Sequence, residues 1–259
     1  MAGNSFATIV NQITSGSFSL SDLINEAGTL SQSNQSALAR QLYQRWIETN
    51  PGHPLLCVAH FNYSALASDA GDAGATLEAL KQAIALNPDF IPAYINLGRL
   101  LENSGAPDRA VELWRTAASR PVAVKGPAVQ YAITALKQII RVLSDQQHHE
   151  RAEEAARQCL EINPHQHDAI EQFVALRLAQ CKWPVIAPWE GIERATLMRG
   201  IHPLSAATYT DDPLLQLALA DRSVRLSAFA APQNPEIDRR HAALDLTCRR
   251  LRVGYVSAD

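Results

Sequence analysis

Residues 87–118 read NPDFIPAYINLGRLLENSGAPDRAVELWRTAA. Tyr94, Leu97 and Leu101 recur at helical spacing in the first half, and Ala110, Leu113, Trp114 and Ala117 in the second. Ser104, Gly105, Ala106 and Pro107 break the chain between them, which predicts two helices joined by a tight turn. Gly98 and Ala110 lack bulk where the helices must come close, leaving room for Tyr94, Leu97 and Trp114 to fill the contact at interior packing density.

The order of these residues, an aromatic, Leu-Gly, a second apolar residue, then Ala, an aromatic, Ala and a closing Pro over roughly 34 residues, matches the tetratricopeptide signature. Aligning other prolines with the closing one extends the pattern in both directions. Pro51 closes a first repeat with Leu23, Ala27 and Leu30 on one helix and Ala39, Tyr43 and Trp46 on the next. Ser21-Asp22 and Ser36 are the expected caps of these two helices. Pro88 closes a second repeat with His60, Tyr63, Ser64 and Ala67, then Leu80, Ala83 and Leu86, turning at Gly71-Asp72. Gly52, His53 and Pro54 absorb its extra length in the loop between repeats. Pro164 closes a fourth repeat with Leu136, Ile139, Ile140 and Leu143, then Ala152, Ala156 and Cys159. Residues 121–130 are expected to lengthen its first helix, and a fifth helix follows with Ile170, Phe173, Leu176 and Leu178. Upstream, Phe6, Ile9, Val10 and Ile13 predict a short capping helix stopped by Gly16, since an end repeat otherwise exposes an apolar face.

With 47% apolar and 19% charged residues the chain is a folded protein rather than a disordered one. A net charge of -3, with basic residues scattered along the chain, argues against nucleic acid as a partner. The N-terminus carries no signal-peptide pattern and no segment is long and apolar enough for a membrane span, so no membrane partner is expected and the expected location is the cytoplasm. Cys57, Cys159, Cys181 and Cys248 form no C-x-x-C pair and are expected to be buried thiols.

Past Trp183-Pro184 the period stops. Asp212-Pro213 opens a further helix through Leu214, Leu215, Leu217, Ala218 and Val224, residues 230–235 read as a linker, and residues 251–259, LRVGYVSAD, read as a buried strand without a partner. The expected fold class is therefore all-α, a right-handed solenoid of tetratricopeptide repeats followed by a mostly helical linker and one orphan β-strand of an incomplete α/β domain. The expected boundaries are a cap over 1–19, repeats over 20–182, a linker over 183–250 and the strand over 251–259, where the chain reads as truncated.

Several segments in this order, HFNYSALASDAGD at 60–72, ALKQIIRVL at 135–143, QCKWPV at 180–185, TDDPLLQL at 210–217 and the terminal strand, make the chain resemble the bacterial SPINDLY-like O-GlcNAc transferase family. The resemblance implies a parent enzyme that transfers N-acetylglucosamine from UDP-GlcNAc to Ser or Thr of proteins, with its catalytic residues beyond Asp259. No catalytic residue, cofactor or metal is assigned to this chain. The resemblance also implies that an asparagine ladder lines the concave face of the repeats and holds protein or peptide substrates by their backbone. Superposition on the closing prolines puts Asn25, Asn62 and Asn96 in that position, with Gln138 and Gln172 after them. Amide side chains suit the task because each both donates and accepts. A free-standing repeat adaptor is the alternative reading, and a homodimer is left open.

Four further candidates are weighed against plainer roles. Lys137 and Arg141 sit one turn apart and suit a carboxylate or phosphate, against a solvated helix face. His148-His149 and His165/His167 read as turn residues rather than metal ligands. Trp183 and Trp189 read as a plug at the end of the repeats, and Asp211-Asp212 as a helix cap.

Overall fold

The computed structural model describes residues 6–120, 126–227 and 235–242. They fall into two compact units, the first ending at Ile201 and the second beginning at His202. Helices dominate, and among the described residues the only β-type pairing is an isolated bridge between Trp189 and Ile192.

The first unit opens with α1 (Phe6–Thr14), followed by four helix pairs: α2 (Leu20–Gln32) with α3 (Ser36–Thr49), α4 (Leu56–Asp69) with α5 (Ala73–Leu86), α6 (Ile91–Asn103) with α7 (Pro107–Ala118), and α8 (Pro127–Asp145) with α9 (His149–Ile162). An unpaired α10 (His167–Ala179) and the short α11 (Arg194–Met198) complete it. From α2 to α11 each helix packs on the next, α1 packs on α3, and α6 and α10 each also touch α8. The first helix of each pair, with α10, is termed an A helix and the second a B helix.

The A–B contact expected at residues 87–118 is present. Trp114 is fully buried, and its indole nitrogen donates to the Ile95 carbonyl at 3.1 Å. A Cβ on Gly98 would lie 2.6 Å from Cε2 of that ring, so only glycine fits. The expected core residues of the other pairs are also buried, including Leu23, Ala39, Tyr43, Trp46, Ala67, Leu80, Ala83, Leu136, Leu143, Ala152 and Cys159. Leu86 is an exception, 47% exposed at the last position of α5.

Every A helix ends in the same way. One residue turns left-handed, Asn34 (φ 59), Gly71 (φ 74), Gly105 (φ 80), Gln147 (φ 62) and Cys181 (φ 52). The next amide then reaches back five residues, from Gln35 to Leu30, Asp72 to Ala67, Ala106 to Leu101, His148 to Leu143 and Lys182 to Arg177, at 2.8–2.9 Å. This is the Schellman closure, which satisfies carbonyls that a helix end would leave unpaired.

The α3–α4 loop absorbs extra length where expected, running from 50 to 55 whereas the α5–α6 loop runs only from 87 to 90. The first helix of the fourth repeat, α8, spans 19 residues against 13 for α6, but of the residues expected to lengthen it only those from Pro127 onward are helical among the described residues, Gly126 being its non-helical cap. Residues 121–125 and the expected strand at 251–259 lie outside the described residues.

Two expected caps differ. The N-cap of α2 is Ser19, whose hydroxyl accepts from the Asp22 amide while the Asp22 carboxylate accepts from the Ser19 amide. The helix starts early because Leu20 joins the core and Ser19-x-x-Asp22 forms a reciprocal capping box. Ser36 is inside α3 and makes no cap, because Gln35 before it is already fixed by the preceding turn. As expected, α1 buries Ile9 and Ile13 against α3, with Gly16 (φ 74) as its stop.

Beyond α10, the chain is held by a buried carboxylate. Glu153 receives Arg177 and Lys182 at 2.7 Å each and Gln180 at 2.9 Å, while Arg177 also donates to the carbonyls of Pro184 and Val185. Burial disfavours the Glu153 carboxylate, but these donors outweigh it and hold its pKa below the ordinary value. Trp189 packs on Phe173 and under Arg157, as a plug should. Trp183 does not. It is 63% exposed, since Val185 and Ile186 supply the buried anchor in its place. Cys181 also departs from expectation: it is exposed at the left-handed turn, whereas Cys57 and Cys159 are buried. Cys248 lies outside the described residues.

The second unit contains α12 (Pro203–Tyr209), α13 (Pro213–Ser227) and α14 (Pro235–Ala242). Asp212 caps α13, its carboxylate accepting from the Leu214 amide at 2.9 Å. Leu219 is buried, while Leu214, Leu217 and Val224 are exposed among the described residues. No helix of the described residues is long and apolar enough to cross a membrane.

Candidate functional site

An α-helix returns to the same face at intervals of three and four residues. On that count the five ladder residues each start a stripe: Asn25–Gly28–Gln32, Asn62–Ala65–Asp69, Asn96–Arg99–Asn103, Gln138–Arg141–Asp145 and Gln172–Ala175–Ala179. The first residue is always an amide, and the second is Gly or Ala on three of the five helices. These stripes define an A-helix face.

The amides are in three different states. Asn25 and Gln172 are exposed, and neither side chain is hydrogen-bonded among the described residues. Asn96 is half-buried and lines a polar pocket of about 110 Å³ between α4 and α6, with Ser68, Asp69, Arg99 and Asn103 around it. Asn62 and Gln138 are partly engaged. The Asn62 amide nitrogen donates to the Tyr43 hydroxyl at 3.2 Å, leaving its carbonyl open, and burial pushes the Tyr43 phenol up. The Gln138 carbonyl accepts from Arg141 at 3.1 and 3.3 Å, leaving its NH₂ open. Between α8 and α10 lies a groove of about 290 Å³ lined by Ile140, Ser144, Ala169 and Gln172.

Lys137 and Arg141 are neither a ready anion site nor a plain solvated face. Arg141 grips Glu102 of α6 with two bonds of 2.8 and 2.6 Å, and Lys137 pairs with Asp168 of α10 at 2.8 Å. The Glu102 hydrogen bonds hold the Arg141 pKa above its ordinary value. Both cations therefore tie α8 to its neighbouring A helices, with Gln166 accepting from Lys137 as well. The partners are 29 to 39 residues away in sequence, so nothing local announces them. Arg99, Asn103 and Asp69 were equally absent from the ladder, although their three- and seven-residue spacing from the amides was there to be read.

Among the described residues no group of three or more His, Cys, Asp or Glu side chains is placed to hold a metal ion. His148 lies in the α8–α9 turn, and His167 faces Glu171 one helical turn along.

A tetratricopeptide-repeat family model matches residues 67–121, and a second matches residues 141–166. The chain carries tetratricopeptide repeats. The first match runs from the end of α4 through α7, and the second covers the end of α8 and all of α9. Similar solved structures include the C-terminal part of a tetratricopeptide protein from Cytophaga hutchinsonii, with a TM-score of 0.59 at 13% identity over 90% of this chain and 92% of that one. A MamA protein superimposes with a TM-score of 0.53 at 12% identity, covering 86% of this chain and all of the other. PilF of Pseudomonas aeruginosa gives 0.52 at 14%, covering 90% and 98%. At such identities these likenesses concern the fold. No curated protein matches the sequence. Together the repeats and the fold make the chain a tetratricopeptide scaffold of the kind that serves protein interaction.

Proposed function

We propose that this chain holds an extended segment of a partner protein along its A-helix face, with Asn25, Asn62, Asn96, Gln138 and Gln172 bonding the partner's backbone. The observation that carries the reading is the recurrence of an amide at one place on five successive A helices. A side-chain amide offers a donor and an acceptor together, which is what each peptide unit of an extended chain requires, whatever its sequence. Gly28, Ala65 and Ala175, one turn further on, leave room for a backbone to come close. Peptides of unrelated sequence should therefore bind comparably, and N-methylation of their backbone amides should weaken binding at least tenfold. Replacing Asn25, Asn62 and Asn96 together by Ala should produce the same loss with helicity unchanged. Equal binding of methylated and unmethylated peptides would remove the ladder.

The finer reading is that this scaffold presents protein substrates to a cytoplasmic O-GlcNAc transferase-like activity. Its support is the ordered set QCKWPV, TDDPLLQL and LRVGYVSAD after the repeats. The test is calorimetric titration with UDP-GlcNAc of this chain and of a form extended by any sequence its gene encodes after Asp259. Binding by the extended form alone supports the transferase reading. No binding by either leaves the same face working as a free-standing adaptor.

A further inference from the structure

A groove of another kind lies between successive B helices. It has a volume of about 550 Å³ and runs between α5 and α7 over α6. Its floor is apolar, formed by Leu77, Leu97, Leu101 and Leu113. Lys81, Arg109 and Arg151 stand around it, exposed and without an ion pair or side-chain hydrogen bond among the described residues. The two acids at the rim are already engaged, Glu112 with Arg115 at 3.3 Å and Asp108 with the Gln146 amide at 3.5 Å.

The molecule contains its own control. One repeat earlier, α3 and α5 leave a corresponding groove over α4, with a volume of about 270 Å³. There the rim charges are Glu48 and Glu78, and Gln44 and Gln82 complete the edge in place of any lysine or arginine. A groove between B helices is thus a product of repeat packing. A larger one with a leucine floor and three uncommitted cations of one sign is not explained by packing alone.

The geometry points to a second binding surface, separate from the A-helix face, that takes a short acidic amphipathic segment of a partner protein. Apolar side chains of that segment cover the leucine floor, and its carboxylates meet Lys81, Arg109 and Arg151. The cations lie on three different B helices, so the segment spans repeats two to four.

Two fluorescent peptides with the same leucine pattern test this, one carrying Glu at every other position and one carrying Lys there. The acidic peptide should bind saturably and at least tenfold more tightly than the basic one, weakening as salt rises. Arg109→Glu with Arg151→Glu should cost at least tenfold in that affinity with helicity and Tm retained. Asn25, Asn62 and Asn96 changed together to Ala should leave it untouched, which separates this surface from the A-helix face. Absence of saturable binding, equal affinity for both peptides, indifference to the charge reversals, or loss in the asparagine variant would each overturn the proposal.

Discussion

Replacing Gly98 by Ala places a methyl group 2.6 Å from Cε2 and 2.9 Å from Cδ1 of Trp114. In an open helix interior the same change stabilises by about 1 kcal/mol, because alanine restricts the unfolded chain and glycine does not. Here the collision opposes it. Trp114 is enclosed on all sides and tied through Nε1 to Ile95, so the ring moves only by losing that bond or displacing its neighbours. Overpacking of this kind costs about 1–3 kcal/mol, and so tight a contact belongs at the upper end. The net expectation is a loss of about 2 kcal/mol once the propensity gain is subtracted. Trp114→Ala alone should cost about 3–5 kcal/mol. In that background the collision is gone, and Gly98→Ala should turn stabilising by about 1 kcal/mol. Urea unfolding of the two single variants and the double variant, followed by far-ultraviolet circular dichroism, measures the cycle. A Gly98→Ala protein more stable than its parent would refute the close A–B contact and the repeat register resting on it.

Three other outcomes follow from the same structure. Glu153 has a depressed folded pKa, so its contribution is present above the unfolded value of about 4.3 and lost as pH falls through the lower folded one; Glu153→Gln should flatten the acid limb of the stability profile and cost about 3 kcal/mol at neutral pH, read by denaturation at several pH values. Gln147 carries a left-handed backbone without being glycine, so Gln147→Gly should raise stability by about 1 kcal/mol in thermal unfolding. Cys181 should label quickly with a thiol reagent in the native protein, while Cys57 and Cys159 label only on unfolding, as peptide mapping would report; burial pushes the Cys159 thiol up to about 11, which keeps it unreactive as well as hidden.

The repeat pairs were legible because their determinants are local and periodic. Helical spacing, a small residue opposite a large one, and a breaker between helices all lie within a single repeat, as at Gly98, Trp114 and Gly105. That Asn25, Asn62, Asn96, Gln138 and Gln172 share one position on successive A helices was legible for the same reason. Their states were not, because what engages them comes from elsewhere: Tyr43 reaches Asn62 from the preceding repeat, and Glu102 fixes the Arg141 that occupies Gln138. Trp183 and Cys181 failed as buried residues because aromatic and sulfur character predicts burial only on average, and here Val185 and Ile186 hold the turn. Ser21 and Ser36 failed as caps because a cap is set by where the helix begins, which for α2 is Leu20.

The left-handed residues closing the A helices act as punctuation that keeps the reading frame of the array. Gly105 follows Gly71 by 34 residues and Cys181 follows Gln147 by the same interval, yet Gln147 follows Gly105 by 42. The extra length disturbs nothing downstream, since each turn re-establishes the phase of its own A–B pair regardless of what precedes it. Extra residues, whether in the loop before an A helix or at the start of that helix as in α8, are thus inherited as changes of spacing and never as errors of alignment, because the phase of each pair is set again at its own turn.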